Sequence, residues 1–230
     1  MTKGQISRRG SFKNAQRPLK KSFRPGASPG RRERRAAETR IRLFRCALEL
    51  IAEHGLANVT VEDITEAADV GKGTFFNYFP SKDHVLGVMA EIQVGKVREA
   101  AALAVHTRKS IYSVVHGLVR RLCEEPGRSP RLARALISSF LASESVRKIL
   151  KRNMRAGRKT IEQVVSAGQE RGEIDPRLKK EKVALQLLQA VIGTVLLWSL
   201  HEDPPLAVWI EDSFQHAWRA IAAPGKKQAR

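Results

Sequence analysis

The sequence is short of acid, of cysteine and of unbroken apolar stretches, and each shortage excludes something. Forty-two lysines and arginines face 23 aspartates and glutamates, a formal net charge of +19. The two cysteines, Cys46 and Cys123, stand 77 positions apart. Neither has a neighbour at metal-ligand spacing, and two thiols make no disulfide framework. They read as inert packing residues suited to a reducing compartment. The N-terminus lacks the apolar core of a secretory signal. The longest nearly unbroken apolar run, Ala190–Leu200, covers 11 residues. A bilayer span takes about 20, so a soluble cytoplasmic protein with no membrane contact is expected. No segment alternates apolar and polar residues with period two, and no repeat of 20–50 residues recurs.

The basic excess is concentrated at one end. Residues 1–45 hold 15 basic and 2 acidic residues, whereas the other 185 hold 27 and 21. A polyanion-binding end on an ordinary globular body follows. Residues 1–30 contain no acid, three prolines and four glycines, with apolar residues scattered singly. Such a tract buries too little to offset its ordering entropy and is expected to be disordered. Three readings remain open for it: a basic arm on phosphates, a start-site extension without a role, and an organelle transit segment. Its prolines and glycines disfavour the amphipathic helix the last requires.

From Arg32 onward the pattern is helical, and the predicted fold class is all-α. Ile41, Phe44, Leu48 and Ile51 recur at three- and four-residue spacing and make one apolar stripe, ended at His54-Gly55. Thr60 is placed to cap a helix Val61–Ala68, with Asp63 as a variant capping box. Asp69-Val70-Gly71 forms a turn, and a second short helix Lys72–Phe79 is stopped by Pro80. Ser81 caps the next helix. Further helices are expected over 81–105, 109–124, 130–142, 144–171, 178–200 and 206–222.

Two short helices joined by a tight turn, flanked by longer ones, form a helix-turn-helix. The second helix of such a unit enters a major groove about 12 Å wide, its N-terminal residues at the base edges. It must expose small or polar groups there and bury apolar ones behind. Phe75 and Phe79, four apart, face the core. Lys72, Thr74, Phe76, Asn77 and Tyr78 lie toward the other side, and Gly71 and Gly73 permit close approach of the backbone to DNA. Asn pairs with adenine, Lys with guanine, and a Thr methyl touches the thymine methyl.

The stretch from Val70-Gly71-Lys72-Gly73-Thr74 through Phe79-Pro80-Ser81-Lys82-Asp83 to Leu86, with Ala47–Gly55 and Thr60–Ala68 before it, resembles the tetracycline-repressor (TetR-like) family of bacterial regulators. The resemblance covers residues 35–86. Phe76 stands where the family more often has Tyr, and His84 where Glu is common. The resemblance implies that Thr60 and the amide at its helix start bind phosphate. It implies that Lys72, Gly73, Thr74 and Asn77 face bases or adjacent phosphates, and that Tyr78 and Lys82 hold the backbone. With the composition of the ends, the expected division is a basic arm 1–30, a DNA-binding domain 31–86, a helical ligand-binding and dimerisation domain 87–224 and a disordered tail 225–230.

The helix over 178–200 is apolar on nearly all sides and so needs cover on all sides. With the last helix it would build a two-fold four-helix interface through Leu188, Ile192, Val195, Leu206, Ile210, Phe214 and Ala217. Trp209 and Trp218 could instead pack only within the subunit. A homodimer would present two recognition helices to a palindromic operator in double-stranded DNA. An unidentified small-molecule effector, bound among helices 82–105, 109–124 and 144–171, would change their spacing. The expected function is thus a ligand-released repressor. The alternative is an effector-independent architectural or cell-cycle DNA-binding protein on the same fold.

Chemistry of other kinds finds no support. Gly71-Lys72 lacks the earlier glycine and following hydroxyl of a phosphate-binding loop, and Gly71-x-Gly73 lacks the third glycine of a dinucleotide site. Ser145 and Lys148 have the spacing of a Ser-x-x-Lys nucleophile, a match common by chance. The six histidines never pair at metal-binding spacing, so no enzyme, cofactor or metal is expected. One further face stands out. Lys148, Lys151, Arg152, Arg155, Arg158 and Lys159 fall opposite Val146, Ile149, Leu150, Asn153, Gly157, Ile161 and Val164. That is a solvated face or an anion or protein docking surface.

Overall fold

The computed structural model describes residues 30–201 and 203–225. The expected arm 1–30, except Gly30, and the tail beyond Gly225 lie outside the described residues.

Among these residues the chain forms nine α-helices: α1 (Arg31–His54), α2 (Val61–Ala67), α3 (Lys72–Tyr78), α4 (Lys82–His106), α5 (Ile111–Cys123), α6 (Pro130–Ala142), α7 (Glu144–Glu170), α8 (Lys180–His201) and α9 (Leu206–Ile221). Two short 3-10 turns sit at Leu56–Asn58 and Pro126–Arg128. The described residues form no strand, only an isolated antiparallel bridge between Ile174 and Ala222. The all-α expectation holds, with each helix end within two residues of its predicted place.

Local chemistry sets those ends. Ser110, Ser129 and Ser143 accept hydrogen bonds from the amides of Ser113, Leu132 and Val146 and so cap α5, α6 and α7. Gly55, at φ 76°, ends α1 where a side chain would be strained. Ser81 differs from expectation. It occupies the N-cap of α4, but its hydroxyl bonds His84 Nδ1 at 2.9 Å rather than a helix amide.

Two hydrophobic cores divide the molecule, and α4 belongs to both. The N-terminal core gathers Leu43, Leu48 and Ile51 of α1, Ile64 of α2, Phe75 of α3, Phe79, and Val85, Leu86 and Met89 of α4. Leu132 and Leu136 of α6 and Val146 of α7 close it from below. The second core begins at Val97 on α4 and takes in α5, the C-terminal half of α7, α8 and α9. Helices α4 and α7 lie side by side in the same direction. Ser143 donates to Asp83 at their starts, and Arg171 donates to the carbonyls of Ala104 and Thr107 at their ends. A rigid strut therefore joins the two cores.

The second core also holds a cation that periodicity does not reveal. The Lys96 side chain is 8% exposed. Its ammonium donates to the Arg121 carbonyl near the end of α5 and to Glu125 at 2.6 Å. The pair and the carbonyl together satisfy the buried charge and tie α4 to α5. Cys123 lies buried close by, and burial pushes its thiol up to about 12. Burial likewise raises Cys46. Neither thiol carries thiolate character at neutral pH, as packing residues should not.

Helix α8 is more apolar as a whole than its longest unbroken run indicates. It is long and apolar enough by length and composition to cross a membrane, with a mean hydropathy of 1.9 over 18 residues. Uncharged polar residues such as Gln186, Gln189 and Thr194 interrupt its apolar runs. In this fold α8 packs between α7, α9 and α6.

Candidate nucleic-acid interface

Helices α2 and α3 are held by two devices. The first is the capping box at Thr60. Its Oγ accepts from the Asp63 amide at 3.1 Å, and Asp63 Oδ2 accepts from the Thr60 amide at 2.8 Å. That amide bond, followed by the Thr60 hydroxyl, holds the Asp63 carboxyl below its usual range. The second device is the turn at Asp69, whose φ of 49° is left-handed, a region Asp tolerates. It lets the Val70 amide reach the Thr65 carbonyl at 3.0 Å, in the turn that separates α2 from α3.

Phe75 and Phe79 are 0% and 1% exposed with ring centroids 5.3 Å apart, so α3 is anchored on its inner side. Arg40 of α1 stacks over the Phe79 ring at 5.9 Å and pairs with Glu91 of α4 at 3.4 Å, which braces the unit from behind. Lys72, Gly73, Phe76 and Asn77 form the outward face, all exposed, with Thr74 and Tyr78 at its flanks half-buried. The expected division of α3 into an inner and an outer side is present.

Individual positions add detail. Phe76 is 54% exposed and meets the Phe75 ring edge-on at 5.4 Å, so a phenyl stands in water at the centre of this face. Lys72 pairs with Glu62 of α2, both side chains being about half exposed. A polyanion on α3 must compete with that carboxylate. A Cβ added at Gly71 or Gly73 would meet nothing within 4 Å. No intramolecular contact requires glycine at either place. The amides of Val61 and Glu62 at the start of α2 have no partner among the described residues, whereas the Thr60 amide and hydroxyl are both engaged by Asp63. The Tyr78 hydroxyl has no hydrogen-bond partner among the described residues.

Lys82 has partners within the subunit. Its ammonium donates to the carbonyls of Leu56 at 2.8 Å, Ala57 at 3.3 Å and Val59 at 2.7 Å. Its donors satisfy the segment that leads into α2, so Lys82 positions the helix pair. Sequence spacing could not show this, because the carbonyls lie 23 to 26 residues away.

The predicted interface residues are redistributed too. Val195, Leu206, Ile210 and Phe214 are at most 8% exposed and belong to the core of their own subunit. They are no surface for a partner, because the apolar stripe of α9 turns inward onto α5 and α8. Leu188 and Ala217 are half-buried. Ile192 is 44% exposed and continues into Leu196 and Leu200, which are also exposed. This unpartnered α8 stripe was hidden in the sequence by the uniform apolarity of the helix. Trp218 is buried and Trp209 half-buried within the subunit.

The expected pocket also moves. An open cleft of about 420 Å³ runs between α4 and α5, with Leu103, Val114 and Leu118 as apolar walls and Lys109, Ser113 and Arg121 as polar ones. A second cavity among α5, α8 and α9 has room for about one water, near 10 Å³. Helix α7 lines neither, and its Ile161, Val164 and Val165 are buried in the second core.

A capped short helix, a left-handed turn and a second short helix with an anchored inner side and a polar, glycine-bearing outer side define a helix-turn-helix protein. The comparisons narrow this. Residues 43–89 match the family model described as bacterial regulatory proteins, tetR family. Over 80 residues the chain is 40% identical to the HTH-type transcriptional regulator TcmR of Streptomyces glaucescens, covering 35% of this chain and 34% of that protein. The chain thus spans about a third of the length of the first curated relatives it matches. In fold it is similar to a TetR-family transcriptional regulator of Syntrophomonas wolfei, with a TM-score of 0.67 and 20% identity over 79% of this chain and 93% of that one. It is also similar to the regulator FadR of Bacillus subtilis, solved in complex with stearoyl-CoA, with a TM-score of 0.65 and 17% identity over 79% of this chain and 98% of that one. Residues 43–89 thus resemble the helix-turn-helix of the tetR family, and the described helices share the fold of these solved regulators.

Proposed function

We propose that the protein is a sequence-specific DNA-binding transcriptional regulator of the cytoplasm, a homodimeric repressor released by a small-molecule effector. The observation that carries this reading is the outward face of α3. Lys72, Gly73, Phe76 and Asn77 stand exposed on a helix whose opposite side is sealed by Phe75. Thr60 and the first amides of α2 suit a phosphate beside the groove. Lys72 and Asn77 suit guanine and adenine edges, and Thr74 a thymine methyl.

One α3 reads few base pairs, and the α8 stripe of Leu188, Ile192, Leu196 and Leu200 supplies a face for a second copy. Two-fold pairing there presents two recognition helices to a palindrome. The effector reading rests on α4, which belongs to both cores. A ligand in the cleft between α4 and α5 that favours one tilt of α4 moves α3 with it, and acts only through its differential affinity for the two states. The stearoyl-CoA complex of the Bacillus subtilis neighbour supports a ligand-bearing helical domain on this fold.

Genomic footprinting of the full chain tests the proposal. Protected sites that share an inverted repeat are expected. Protection without sequence preference would favour an architectural DNA-binding protein on the same fold.

A further inference from the structure

The outward face of α7 is a surface that the recognition unit does not use. Between Arg147 and Lys159 it exposes seven cations. Glu144 pairs with Lys148 at 2.8 Å, Glu162 reaches Arg158 at 3.8 Å, and Arg147 turns back to the Leu141 carbonyl. Lys151, Arg152, Arg155 and Lys159 make no ion pair or hydrogen bond among the described residues. Lys151, Arg155 and Lys159 are successive i,i+4 neighbours, an arrangement of like charges that destabilises a helix. A helix that needed only solubility would intersperse acids at those positions. Nothing within the described chain offsets the repulsion, so its compensation lies outside.

The composition of the face selects the partner. Ala156 is the one apolar residue among the exposed positions of α7. A protein interface is built around an apolar or aromatic centre, and a membrane-surface helix sinks an apolar face into lipid. The apolar side of α7, with Val146, Ile161 and Val164, is already buried in the two cores. A duplex asks for no such anchor. It offers a row of phosphates, one per 3.4 Å of axis on each strand. Eight residues of helix rise about 12 Å, so the stripe from Lys151 to Lys159 runs along three to four of them. Arg152 and Arg155 add forked donors that match phosphate oxygens.

The stripe is separate from α3. Helix α7 begins against the N-terminal core, where Ile149 Cγ2 would lie 3.4 Å from a Cβ at Gly87, and then follows α4 toward the second core. We propose that this stripe is a second, sequence-independent contact for double-stranded DNA, holding backbone outside the half-site that α3 reads. The inference rests on the regulator reading for the half-site, and its test reads the α7 stripe alone.

The test uses the full chain and a labelled short duplex of arbitrary sequence, with affinity measured from about 50 to about 200 mM salt. In the variant Lys151→Gln, Arg152→Gln, Arg155→Gln, Lys159→Gln, the slope of log affinity against log salt should fall by about 3–4, since about 0.9 counterion is released per phosphate neutralised. The pair Lys151→Gln, Arg155→Gln should lose about half as much. Both should melt no lower than wild type, because the repulsion is relieved. A control with Lys179, Lys180, Lys182 and Arg219 changed to Gln, all exposed elsewhere, should keep the wild-type slope. An unchanged slope in the α7 variants overturns the proposal, as does an equal fall in the control, which marks a bulk charge effect. A loss confined to binding of polyglutamate, with duplex binding intact, assigns the face to an acidic polypeptide and also overturns it. Wild-type protein that binds no duplex of arbitrary sequence even at the lowest salt also overturns the proposal, whereas the regulator reading fails only if no specific operator is bound.

Discussion

Lys82 Nζ lies 2.7 Å from the carbonyl oxygen of Val59, and that bond, with those to Leu56 and Ala57, makes the first residue of α4 the clasp of the segment entering α2. Lys82→Ala should therefore destabilise the protein by about 1–3 kcal/mol, the usual cost of leaving polar groups without partners. Thermal or denaturant unfolding measures this. The salt dependence of DNA binding should keep its wild-type slope, because no phosphate contact is removed. A slope lower by about one, with stability unchanged, would return Lys82 to the phosphate backbone.

Gly73 sits inside α3 with open space where its Cβ would be. Gly73→Ala should raise stability by about 0.5–1 kcal/mol, because alanine loses less conformational freedom in a helix. It should weaken DNA binding at the same time, because the methyl stands where the duplex approaches. Melting curves and affinity measured on one preparation check both signs. A variant that is more stable and binds as before would remove the reason for glycine at this position.

The Thr60–Asp63 box gives stability a pH dependence. The folded-state pKa of Asp63 is depressed, chiefly by the amide of Thr60. Its contribution is therefore fully present above the unfolded value, near 3.9, and is lost as pH falls through the lower folded value. Asp63→Asn should be less stable than wild type at neutral pH. The difference should shrink as pH falls through and below the ordinary carboxylate range. Unfolding midpoints of the two proteins across that range measure it, and a pH-independent gap would contradict the assignment.

Ile192 and Val195 are three residues apart and should behave oppositely. Ile192→Glu, on the exposed α8 stripe, should yield a folded monomer whose helical circular dichroism is unchanged. Val195→Glu places an unpaired carboxylate in the core and should unfold the second domain. Sedimentation with circular dichroism separates the two. A dimer that survives Ile192→Glu together with Leu196→Glu would place the subunit contact elsewhere.

These residues also mark how far sequence reading reached. The helices, the turn at Asp69 and the inner and outer sides of α3 were legible, because caps, glycines and periodicity act over a few residues. The α9 residues Leu206, Ile210 and Phe214 were correctly apolar but assigned outward. An apolar stripe does not say whether its cover is the same subunit or another. Helix α8 is apolar all round, so periodicity could not separate the buried Val195 from the exposed Ile192. Lys82 and Lys96 were beyond reach for a further reason. Each satisfies carbonyls that only the tertiary fold brings near.

The most direct measurement is selection of duplexes from a randomised pool by the full chain, with wild type and the variant Lys72→Ala, Asn77→Ala in parallel. Wild type should enrich an inverted repeat whose half-sites lie about one helical turn or a multiple of it apart. The variant, still a dimer, should enrich none. Enrichment of the same repeat by both proteins would contradict the claim that α3 reads the operator.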